Sequence, residues 1–140
     1  MSRTASQVQG DVYDFLRNSD LAKGLSGKVY RRGYRPRDSR LEDAEVIFTT
    51  GLPGEIETGV VTINIYCADI DPYNNGVLVE NGQRISEIEN AADTWVKSLV
   101  ASRSNYLFSL AETIHSTPDK EISQHFVVIK LRYRYYDNSK

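Results

Sequence analysis

The chain has 140 residues, 40% of them apolar and 26% charged, an ordinary globular mixture that is long enough for one domain, 1–140, to bury a core without disulfides or metal. Its net charge of −2 argues against a surface built wholly for nucleic acid. No apolar run nears the roughly 20 residues that span a bilayer, and the lone Cys67 excludes an internal bridge. Residues 1–10 lack a signal-peptide core, so cytoplasmic synthesis is expected.

The first element is an amphipathic helix over 6–22, with Val8, Val12, Phe15 and Leu16 on one side and Thr4 or Ser6 as its cap. Gly24 and Gly27 end it and lead into a short strand, 28–32. Residues 33–43, GYRPRDSRLED, read as polar and irregular, and Pro36 biases Arg35 away from helix. A second strand follows at 44–50 (AEVIFTT), and Gly51, Pro53 and Gly54 mark a turn.

The stretch 57–70, ETGVVTINIYCADI, is a long strand. Val61, Ile63, Ile65 and Cys67 share one face; Val60, Thr62, Asn64 and Tyr66 share the other. A turn-rich connection, DIDPYNNG at 69–76, precedes a helix over 81–100 whose stripe is Ile85, Ile88, Ala92, Trp95, Leu99 and Val100. A hairpin closes the chain. Phe108, Leu110 and Ile114 lie on one strand; on its partner Val127, Ile129, Leu131, Tyr133 and Tyr135 point one way while Lys130, Arg132 and Arg134 point the other. Between them, STPDK at 116–120 has turn chemistry. The order α-β-β-β-α-β-β predicts a two-layer α+β fold, with a mostly antiparallel sheet of about five strands on two helices. Five of the nine tyrosines (Tyr30, Tyr66, Tyr133, Tyr135, Tyr136) fall in these strands, where aromatic rings suit a half-buried sheet.

No catalytic set accompanies this pattern. With a turn centred near Lys120, His115 and His125 become cross-strand neighbours flanked by Glu112, an incomplete set for a transition metal. Cys67 shares a face with Val61, Ile63 and Ile65, which predicts an inert buried thiol. The carboxylates Glu42, Asp43, Glu45, Glu55, Glu57, Asp69 and Asp71 do not follow a calcium-loop spacing. Phosphate-loop, dinucleotide and nucleophile-elbow patterns are missing too. The expectation is a protein that is not an enzyme and uses no cofactor or metal.

Charge is the remaining signal. Lys28, Arg31, Arg32, Arg35, Arg37 and Arg40 cluster ahead of an acidic stretch over 42–57. Three readings fit. The segment is solvated and internally balanced, or it forms a self-complementary edge between copies, or it contacts phosphate. The candidate subunit or partner interface therefore comprises Arg31, Arg32, Arg35, Arg37, Arg40, Glu42 and Glu45, with Lys130, Arg132 and Arg134 from the last strand.

The order of VYDFLRNS, GKVYRRG, AEVIFTTGL, TGVVTINIYCADI, ISEIENAADTWVKSL and a closing VVIKLRYRYY resembles that of bacteriophage tail terminator proteins, the tail completion or minor tail proteins of the lambda gpU kind. The resemblance covers roughly residues 8–136 and rests on element order and hydrophobic pattern, without an invariant motif. It implies a virion protein made in a bacterial host, placed at the head-proximal end of the tail. It also implies a homo-oligomeric ring, a hexamer, whose partners are the tail tube protein and the neck or connector protein. A neck or head-completion protein of the same virion and a small nucleic-acid-binding module using the basic strand and loop are the alternatives.

Overall fold

The computed structural model describes residues 3–102 and 104–136. The first helix, α1 (Ala5–Arg17), begins with a reciprocal capping box. The Thr4 hydroxyl accepts from the Gln7 N–H, while the Gln7 side chain accepts from the Thr4 N–H. The single helix expected over 6–22 is broken. Ser19 donates its hydroxyl to the Leu16 carbonyl and accepts from the Ala22 N–H, so it closes one helix and caps a second, α2 (Asp20–Lys23).

The strands are β1 (Val29–Arg31), β2 (Ala44–Leu52), β3 (Ile56–Ala68), β4 (Tyr106–Leu110), β5 (His115–Asp119) and β6 (Gln124–Tyr136); α3 (Gly82–Ala101) lies between β3 and β4. Together they make a two-layer α+β structure with one six-stranded sheet in the order β1-β2-β3-β6-β4, with β5 also on β6. The sheet is mixed, because β1 runs parallel to β2 while every other pairing is antiparallel. Three helices and six strands thus replace the two and about five expected.

The extra strand corrects the reading of 116–120 as a turn. Residues 116–119 continue along β6, with Ser116 opposite Val127 and Asp119 opposite Gln124. The reversal instead falls in a 3-10 turn, Lys120–Ile122, followed by Ser123 in the left-handed region at φ 54°. Pro118 lies on β5, an edge strand, where half of the backbone N–H positions face away from the ladder and proline is best tolerated.

One face of the sheet carries the core. Val61, Ile63, Ile65 and Cys67 of β3 and Val127, Ile129, Leu131 and Tyr133 of β6 pack on Val8, Val12 and Leu16 of α1 and on the stripe of α3. That stripe is Ile85, Ile88, Ala92, Trp95, Val96 and Leu99. Val100 is exposed, and Val96, four residues after Ala92, takes the place assigned to it. Each fully buried Ile, Leu or Val contributes about 1.5–3 kcal/mol through area removed from water. Among the described residues no helix is long and apolar enough to cross a membrane.

Candidate functional site

The helices cover one face of the sheet and leave the other open. Register lines up its side chains in rows: Leu52, Thr58, Arg134 and Leu107; then Thr50, Val60, Arg132 and Ser109; then Glu45, Asn64, Val128 and His115. Arg132 and Arg134 are exposed and make no ion pair with any described residue, as are Arg32 and Arg37. Lys130 is held nearer the sheet, 3.5 Å from Glu112.

The rest of the charge cluster is partnered within the chain. Arg35 is folded inward, its side chain only 7% exposed against Asp43 at 1%. Its Nε donates to Asp43 at 3.0 Å, its Nη2 donates to Gln124 and to the Ser39 and Leu41 carbonyls, and its plane lies 3.9 Å over the Tyr66 ring. Gln124 returns a bond to the Ser39 carbonyl. This knot fastens loop 33–43 across one end of the open face. Arg40 donates to the Ile122 and Ser123 carbonyls, and Glu45 accepts from the Gly33 N–H. Arg31 lies 5.0 Å over the Tyr13 ring on the helix side.

Glu42 takes two bonds of 2.7 Å from Arg84, which also donates to the Gly24 carbonyl. The Arg84 bond holds the Glu42 carboxyl below its usual range despite partial burial. The basic loop and the acidic strand ends that the charge pattern set against each other thus meet mostly inside one copy.

The histidines do not face each other. His115 pairs with Val128 and His125 with Pro118, because the chain reverses over Lys120–Ile122 and Ser123, which shifts the pairing by three residues from a turn centred on Lys120. His125 Nδ1 is 2.7 Å from Asp69, its Nε2 is 3.8 Å from Glu80, and Ser116 donates to Glu80 at 2.6 Å. These contacts clasp the base of loop 69–80 to β5 and β6. Among the described residues no group of three or more His, Cys, Asp or Glu is placed to hold a metal ion. Cys67 is 3% exposed, and burial pushes its thiol up to about 11, which disfavours the nucleophilic thiolate. A cavity of about 620 Å³ forms a groove between the helices lined by Phe15, Leu21, Trp95 and Leu99, and among the described residues Asp20 is the one acidic or basic side chain in its lining.

No protein-family model matches the chain, and no curated protein matches it either.

The charge pattern did not single out the exposed apolar groups. Leu52, Ile56 and Leu107 surround Arg134 at one end of the open face, and Ile70, Tyr73, Val77, Leu78 and Val79 stand out from loop 69–80. Strand parity held the clue for Leu107, which alternates with the buried Phe108.

Proposed function

We propose that this chain is a non-enzymatic assembly protein of a bacteriophage virion, a tail terminator that rings the head-proximal end of the tail tube and joins it to the neck. The supporting observation is the stiff sheet with one uncovered face. The β3–β6 ladder is paired over all 13 residues of each strand, and the open side carries exposed arginines beside exposed leucines. A cap needs such a platform, since its partners dock on a surface that must not deform. Arginine is also among the residues enriched at protein interfaces and their hot spots, and the leucines add apolar area beside it.

The test is to add the purified protein to polymerising tail tube protein. Tubes of bounded length, with the protein at one end, are expected; unchanged lengths with bare ends would sink the reading. Binding to the connector with no effect on tubes would move the chain to a neck or head-completion role. The exposed Arg32, Arg37, Arg132 and Arg134, which make no ion pair among the described residues, favour one further reading, a phosphate-contacting module. Retention on DNA at low salt, with a steep salt slope that flattens in Arg132→Ala and Arg134→Ala, would support it.

A further inference from the structure

The two ends of β3 carry opposite chemistry. At its start lie Leu52 (70% exposed), Ile56 and Leu107, grouped by register around Arg134 with Arg132 in the next row. Among the described residues the exposed acid there is Glu55, in the hairpin turn between β2 and β3. At its far end, about 40 Å away by strand rise, loop 69–80 exposes Ile70, Tyr73 (80%), Val77, Leu78 and Val79. That loop contains Asp69, Asp71 and Glu80 and has no lysine or arginine. Eight of the eleven exposed large apolar side chains among the described residues belong to these two clusters.

Loop 69–80 is shaped in advance. Ile70 and Val79 form an antiparallel bridge with both bonds at 2.8 Å. Asp71 accepts from the Asn75 and Gly76 N–H groups, and Asn74 and Gly76 adopt positive φ. His125, Asp69, Glu80 and Ser116 fix its base. A projecting apolar loop held this way keeps its shape on docking, so little ordering entropy opposes association.

We infer that these ends are the two halves of one contact between copies of this chain: loop 69–80 of one copy seats on the Leu52, Ile56, Leu107 and Arg134 end of the next. Leucine meets tyrosine and leucine, and the arginines approach Asp71 and Glu80, the loop carboxylates other than the His125-bound Asp69. The halves are different surfaces at opposite ends of the protomer, so the contact is heterologous and every copy adds another in the same sense. Only the closing of that series into a ring rests on the assembly reading above.

A mixing experiment reads this directly. One variant carries Leu107→Asp with Arg134→Glu; the other carries Tyr73→Asp with Leu78→Asp. All four positions are solvent-exposed, and unchanged circular dichroism and melting verify each fold. Wild type should self-associate in analytical ultracentrifugation, and each variant alone should lose about tenfold or more in association. Their equimolar mixture should give a one-to-one heterodimer through the one pair of intact ends. A monomeric wild type, variants that assemble as wild type does, or a mixture that stays monomeric would overturn the contact. Wild-type capping of tail tubes, scored separately, decides the assembly role whatever this result.

Discussion

Tyr133 owes its place in the core to two missing side chains. Gly51 and Gly59 are cross-strand partners, and Gly59 in turn lies opposite Tyr133. A Cβ on Gly59 would sit 2.7 Å from the Tyr133 ring and against the Thr50 carbonyl, and one on Gly51 would sit 2.8 Å from the Tyr133 hydroxyl. The ring thus occupies a notch that no other residue pair provides. Gly59→Ala should destabilise the protein by about 1–3 kcal/mol through overpacking, read from urea unfolding. An alanine here that leaves the midpoint unchanged would show that the notch has slack. Parity along the strand gave the inward direction of Tyr133, but the notch needs three strands in register, and no single-strand pattern contains that alignment.

Among the elements, loop 33–43 has the least regular sequence yet is anchored by its most buried cation. Its many arginines look alike in the chain, and only contacts distant in sequence separate Arg35 from Arg37. Arg35 meets Asp43, Tyr66 and Gln124, whereas Arg37 stays in solvent. Arg35→Met keeps much of the volume and removes the charge, leaving the Asp43 carboxylate buried without its cation. A loss of about 3–5 kcal/mol is expected from thermal or urea unfolding. Proteolytic cutting within 33–43 should also appear at concentrations that spare wild type. The 116–119 segment is a strand for a related reason. Ser, Pro and Asp favour turns locally, but pairing with β6 outweighs that preference, and the preference carries no information about a partner strand.

For the molecule as a whole, the alternation in 57–70 and the stripe in 81–100 were enough to read the layers, since each signal lasts long enough to fix a buried side. The surfaces that meet partners were not readable in that way, because exposure follows from what the fold leaves uncovered. One tie between distant segments makes stability depend on acid: Arg84, in the first turn of α3, grips Glu42 ahead of β2 and the Gly24 carbonyl after α2. The Arg84 bond lowers the folded-state value of Glu42 below its ordinary 4.5. A depressed acid stabilises the fold above its unfolded value, and that contribution is lost as pH falls through the folded value. Glu42→Gln should therefore be less stable than wild type at neutral pH and lose less stability than wild type on going from about pH 6 to pH 3. Parallel pH profiles for the two proteins would remove Glu42 from the acid response.

The split border of the sheet bears on how such a protein avoids becoming a fibre. Beyond β6 the outer strand is cut into two pieces of five residues, β4 and β5, and Pro118 removes a donor from the second. At the other border β1 has three residues, and past it the Phe48 N–H is already taken by Gln9. A foreign strand seeking a long ladder finds no continuous template on either side. Crowded copies of this chain are thus steered away from open-ended backbone stacking, and any ordered growth must be specified by side chains, which can also specify where growth stops.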